Sequence, residues 1–203
     1  MKKLLLSALA VCAFTFSNAQ EEKTEGTGGF AQGDMMISGA FSFGSESTGD
    51  FKTNTFTVSP KAGYFVSDNI AVGVALGYEN TKWDNGSDDV KNSELSVGAF
   101  ARYYMTPAAK FSLFAQLGVD YMSYDNEIDV DTMTAAETKG NGFGVKVAPG
   151  VSYFISDAFA LEASWGMLGY ETTKPDFDGA ESTDTFGLGL DMRDLSLGLV
   201  YKF

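Results

Sequence analysis

The sequence predicts an all-β chain, an eight-stranded antiparallel up-and-down transmembrane β-barrel with a cleaved N-terminal signal peptide. Three observations carry that expectation: apolar side chains recur at every second position from Asp34 onward, one strand-turn-strand unit recurs along the chain, and residues 1–19 read as an export segment. Period two is the mark of strands with two unlike faces, since successive side chains of a strand point to opposite sides.

The export segment comes first. Lys2 and Lys3 supply a positive start, Leu4 to Phe16 an apolar run, and Ser17 and Ala19 the small residues that a peptidase cleaving after Ala19 requires. The run is shorter than the roughly 20 residues of a membrane-spanning helix. Cys12 is the chain's one cysteine. It lies in mid-run after Val11 rather than at the end of the run after a small residue, so it reads as an apolar residue of a discarded peptide rather than a lipidation site. Without it the mature chain has neither disulfides nor thiolate chemistry. Residues 20–33, QEEKTEGTGGFAQG, read as a flexible periplasmic lead-in, and 34–203 as the barrel.

Strand by strand the alternation holds. Ile70, Val72, Val74, Leu76 and Tyr78 stand opposite Ala71, Gly73, Ala75 and Gly77; Phe111, Leu113, Ala115, Leu117, Val119 and Tyr121 stand opposite Ser112, Gln116, Gly118 and Asp120. Residues 143–153 repeat it, with Phe143, Val145, Val147, Val151 and Tyr153 against Gly144, Lys146, Ala148 and Ser152. The stretch PKAGYFVSDNIAVGVALGYE at 60–79 recurs as PGVSYFISDAFALEASWGMLGYE at 149–171, with a weaker copy, RYYMTPAAKFSLFAQLG, at 102–118. Each copy is a strand ending in two aromatics, a tight turn and a new strand. Three short turns on one rim and four longer acidic stretches on the other, 45–52, 80–93, 122–140 and 171–185, make an eight-stranded meander. Pro60 and Pro149 each remove a ladder donor, which predicts bulges at both.

The polar face mixes charge with glycine: Lys61, Arg102, Gln116, Lys146, Glu162 and Lys202 among Gly63, Gly73, Gly98, Gly118, Gly144 and Gly198. Small residues beside long charged ones suit a narrow filled lumen, and an apolar exterior then faces lipid. Tyr64, Tyr103 and Tyr153 precede the three turns, and Tyr78, Trp83, Tyr121, Tyr124 and Tyr170 lie at the opposite ends, as interfacial aromatic girdles require.

The signal segment, the turns YFVSDNIAVG and YFISDAFALE, and the C-terminal LSLGLVYKF resemble the small outer-membrane β-barrel domain family, the OmpA/OmpX-like barrels in the porin-family form common in Bacteroidetes. The resemblance covers residues 34–203. It implies a Gram-negative outer-membrane location at the cell surface with both termini periplasmic, contact with outer-membrane lipid and lipopolysaccharide, and a monomer. It also implies an assembly signal at Tyr201 and Phe203, read by the barrel-assembly machinery. Members of the family are anchors, adhesins, small pores or unassigned, so no single activity follows.

Charge and composition bound the function. With 27 acidic against 14 basic residues, a formal charge of −13, the chain lacks the cationic surface that a nucleic-acid partner demands. Losing Lys2 and Lys3 makes the mature chain more acidic still. Zero histidine closes every imidazole-based scheme and every His-ligated metal site. A carboxylate pair such as Glu79 with Asp120 has nothing to position a substrate. No enzyme activity and no cofactor are expected.

Counted from the turns, Lys61, Arg102 and Lys202 with Glu162 lie at the turn end of the lumen, and Glu79, Glu94, Asp120 and Asp194 near the loop mouth. One reading of this charge network, which also includes Lys146, is a salt-bridged plug; the other is a water-filled path whose acidic mouth attracts cations. In the loops, Asp125, Glu127, Asp129 and Asp131 alternate, and Asp176, Asp178 and Glu181 surround Gly179. Oxygen ligands suit Ca²⁺, but the EF-hand spacing is absent, so a solvated anionic rim stands against a calcium site. The function expected is a structural or surface-interaction role through acidic extracellular loops, with a small-solute or cation-preferring channel as the alternative.

Overall fold

The computed structural model describes residues 28–84, 88–130, 133–166, 168–189 and 195–203; the signal segment, Asp131 and Asp194 lie outside them. Its strand segments are β1 (Met35–Thr48), β2 (Phe51–Phe65), β3 (Ile70–Asp84), β4 (Asp88–Tyr104), β5 (Phe111–Val130), β6 (Met133–Phe154), β7 (Phe159–Trp165), β8 (Leu168–Pro175), β9 (Thr183–Leu188) and β10 (Leu195–Lys202). All pairings are antiparallel and join chain neighbours up to β6. β7 and β8 both pair with β6 and are two halves of the seventh barrel strand; β9 and β10 are two halves of the eighth. β10 returns to β1 through Met36–Ala40 against Lys202–Gly198, which closes a barrel of eight strands.

The predicted bulges fall differently. At Pro60 the β2–β3 ladder skips two residues on each strand and resumes in the same register, Val58 opposite Tyr78 and Lys61 opposite Ala75, so no bulge forms. Pro60 points outward, where its missing N–H interrupts a pairing without lengthening either strand. Near Pro149 the extra residue lies on the facing strand. Val147 opposes Leu168 and Gly150 opposes Ser164, so between these two pairings the facing strand carries one residue more than β6.

Over their described residues, the first three of the four long acidic stretches are largely strand rather than loop. β1 and β2 pair to Thr48 and Phe51, β3 and β4 to Asp84 and Asp89, and β5 and β6 to Val130 and Met133. Their sequences lose the apolar alternation because both faces lie beyond the apolar band, while the ladder itself needs only backbone groups.

Within the band the alternation is obeyed. Val74, Leu76, Val97, Leu161 and Leu199 are exposed on the outside, Val74 at 59% and Leu76 at 53%, and Ala71, Phe100, Arg102, Ala160 and Val200 are buried on the inside. Tyr64, Tyr103, Tyr153 and Tyr201 ring the band at its turn end, and Tyr78, Tyr121, Phe143 and Tyr170 at the other, all exposed. Tyr124, expected in that second girdle, instead shares the inward parity of Met122 and lies over Gly140. The stretch Ile70–Tyr78 has the length, about 9–11 residues, that a tilted strand needs to cross hydrocarbon. A continuous apolar belt of this extent is a lipid-facing surface.

Inside, the barrel is too narrow to be hollow at the turn end. A Cβ at Gly73 would meet Phe100 Cζ at 2.7 Å, and one at Gly150 would collide with the Phe114 ring. The glycines of the polar face therefore make room for the rings and charges of neighbouring strands.

Candidate functional site: the barrel lumen

The lumen is built in layers from the turn end upward. The lowest layer is aromatic: Phe65, Tyr104, Phe114 and Phe154 point inward, and Phe30, from the segment preceding β1, sits among them with 2% of its surface exposed. Its ring lies 4.5 Å from Phe65, 4.8 Å from Phe154 and 5.1 Å from Tyr104. The sequence does not mark these residues as a site, although the signal for three of them, Phe65, Tyr104 and Phe154, lies in the repeat. Each copy ends in two consecutive aromatics, and if the first faces lipid the second must face the lumen. Phe30 lies in the stretch expected to be a flexible lead-in; over 28–33 that stretch is instead packed against the barrel.

Directly above lies the buried ion pair. Arg102 on β4 and Glu162 on β7 belong to barrel strands three apart in the ring, so their bond spans the lumen. Arg102 Nη1 donates to Glu162 Oε1 at 2.6 Å and to the Tyr104 hydroxyl at 2.7 Å, and that hydroxyl donates to Glu162 Oε1 at 3.1 Å. Nε and Nη2 both donate to Gln116 Oε1, at 3.1 and 2.8 Å. The guanidinium also stands 4.1 Å over the Phe114 ring, a cation–π contact in a water-poor layer. Charge and hydrogen-bonding capacity are matched here as a desolvated ion pair requires.

Lys61 lines a narrow space above Arg102 and, with Gln116, Asp120 and Lys146, a cavity of about 220 Å³ in the middle of the lumen. Higher still, Glu79 accepts a hydrogen bond from Thr57 at 3.3 Å, and Glu94 stands opposite Glu79 across the β3–β4 ladder. Lys202 belongs to the turn end but not to the Arg102 pair: its Nζ donates to the Gly29 carbonyl at 2.7 Å and lies 3.8 Å from Asp34.

At the loop end the acidic alternation is cross-paired. Asp125 lies 3.6 Å from Lys139, which also bonds Glu137 at 2.6 Å, and Glu127 lies 3.9 Å from Lys91. The Lys139 hydrogen bond and charge hold the Glu137 carboxyl below its ordinary range, so this contact is present at neutral pH and weakens as pH falls through the carboxylate range. Asp129 is placed by its backbone pairing with Asp89. Asp176, Asp178 and Glu181 form an exposed turn around Gly179. Among the described residues no three His, Cys, Asp or Glu side chains are grouped to hold a metal ion.

The family model described as "Outer membrane protein beta-barrel domain" matches residues 4–203. The chain belongs to that family. Its membership accords with the lipid-facing belt and the closed eight-stranded ladder, and it makes this an outer-membrane β-barrel protein. Among solved structures, the outer membrane protein OprG from Pseudomonas aeruginosa is 16% identical, covering 86% of this chain and 98% of its own, with a TM-score of 0.52. A major outer membrane protein from Thermus thermophilus is 12% identical, covering 84% of this chain and 98% of its own, with a TM-score of 0.50. These likenesses establish the fold. No curated protein sequence matches the chain.

Proposed function

We propose that this outer-membrane β-barrel is a non-enzymatic surface protein, structural or interacting through its long acidic ribbons, and that it does not conduct. The observation that carries this reading is the filled turn end. Five aromatic side chains and the Arg102–Glu162 pair occupy the cross-section that a solute would have to pass. In this reading the three turns and both chain ends lie in the periplasm, the ribbons outside, and residues 1–19 are removed. The anionic ribbons then meet lipopolysaccharide and its divalent counter-ions, and the barrel is a monomer.

The channel alternative has its own support, the cavity bounded by Lys61, Asp120 and Lys146 beneath an acidic mouth. Planar-bilayer recording of refolded protein decides between them. Silence is expected. A steady cation-selective current, reduced in Glu79→Gln or Asp120→Asn, overturns the closed-lumen reading.

The C-terminus supports a further expectation. Phe203 exchanges backbone hydrogen bonds with Met35, both at 3.0 Å, and its ring stacks on Tyr201 at 5.7 Å, which in turn packs on Phe159. Phe203→Ala leaves the main-chain bonds in place, so the refolded barrel retains most of its stability. As an assembly signal, however, Phe203 matters before the barrel exists. We expect this variant to lower the folded, heat-modifiable protein in outer membranes several-fold, and equal amounts of folded variant and parent would remove Phe203 from that role.

A further inference from the structure

The two Ser-Asp turns of the repeat are alike in their local bonding. Ser67 Oγ accepts from Ile70 N at 3.2 Å and Ser156 Oγ from Phe159 N at 3.1 Å. Their aspartates reach outside the turns. Asp68 Oδ1 accepts the Gln32 amide N–H and Asp157 Oδ1 the Gly28 amide N–H, both at 3.1 Å. The remaining turn joins in through the Pro107 carbonyl, which accepts the Phe30 amide N–H at 2.7 Å. One short segment, Gly28 to Gly33, thus holds all three turns at once, with the Phe30 side chain thrust up between them.

We propose that Gly28–Gly33 is a detachable lid, a strap that closes the lumen at the turn end, and that the three turns with the Phe65, Tyr104 and Phe154 rings form its receptor. The inference rests on the closed-lumen reading and deepens it. Three features make the segment a strap rather than another barrel strand. It belongs to none of the barrel's strand ladders. Phe30 is its one deeply buried side chain, while Ala31 and Gln32 are exposed. Its ends turn at Gly28, Gly29 and Gly33, with φ of 81°, 125° and 95°, a region closed to most other residues. At Gly29 there is also no room: a Cβ would lie 2.7 Å from the Ala108 carbonyl oxygen. Lifting the strap would break a handful of contacts and leave the barrel ladders intact, the hallmark of a locally opening unit.

The test places a thiol behind the lid. Met36 is buried in the same cluster as Phe30, its Sδ 3.9 Å from the Tyr104 hydroxyl, and Cys12 is the chain's one cysteine. Met36→Cys in a Cys12→Ser background is refolded in detergent, checked for heat modifiability, and labelled with a small cationic methanethiosulfonate. Adding Phe30→Ala, or Gly29→Ala, which leaves every ring of the receptor in place, is expected to speed labelling at least about tenfold, as loss of a local closure does. A synthetic peptide spanning residues 26–34 should slow it again in the Phe30→Ala protein. Equal labelling rates with and without either substitution would overturn the lid. Current through the unsubstituted protein in bilayers would instead overturn the closed-lumen reading, so the two failures are distinguishable.

Discussion

Replacing Glu162 with alanine is expected to destabilise the barrel by about 3–5 kcal/mol, the cost of leaving a buried charge without its partner. Arg102 is 2% exposed and its Nη1 has two acceptors, Glu162 and Tyr104. Removing the carboxylate strands the guanidinium between Phe114, Phe100 and Tyr104 with only Gln116 and a phenol to receive its protons. Equilibrium urea unfolding of refolded protein in detergent measures the loss. Two companions sharpen it. Glu162→Gln keeps an oxygen at the acceptor position and should lose less than the alanine variant. The double variant Arg102→Met with Glu162→Leu should recover most of the deficit, since a buried pair replaced by apolar residues of similar volume is often neutral. A loss below about 1 kcal/mol for Glu162→Ala would put the pair in the range of solvent-exposed bridges and mean that water reaches the layer, contrary to a filled lumen.

The second large effect lies on the other face. Val74→Arg, in the middle of the outward row Ile70–Tyr78, is expected to cost about 2–4 kcal/mol in lipid, the depth-dependent cost of a cation at the midplane of a membrane barrel. Ser59→Lys, on the wall of the central cavity, carries the same charge inward and should cost far less. Unfolding in phospholipid vesicles measures both. If the two costs were equal, or reversed, the outer face would not be the lipid face.

How much of this is legible in the sequence differs between the two faces. Lipid-facing rows are read directly, because hydrocarbon tolerates only apolar side chains and the ladder forces period two, so Val72, Val74 and Leu76 announce their orientation. The lumen is harder, since its polar and aromatic members obey packing between strands distant in sequence. Arg102 and Glu162 are visible as charges on the polar face, but their union depends on strands four and seven standing across a narrow bore. The inward rings Phe65, Tyr104, Phe114 and Phe154 fall at the right parity yet read as ordinary strand aromatics. The ribbons beyond the band lose their alternation and so read as loops. Phe30 is the least accessible: a glycine-flanked ring in a polar stretch acquires meaning only when turns far apart in the chain come together beneath it.

The filled lumen, the girdles and the strap all depend on which face of the barrel meets lipid. Spin labels placed singly at Ala71, Val72, Val74, Ala75 and Leu76 of β3, in protein refolded into bilayers, measure it residue by residue through collision with molecular oxygen, which concentrates in hydrocarbon, and with a water-soluble nickel chelate. Labels at Val72, Val74 and Leu76 are expected to collide with oxygen, while those at Ala71 and Ala75 are shielded from it. The opposite phase, or no alternation, would contradict that orientation.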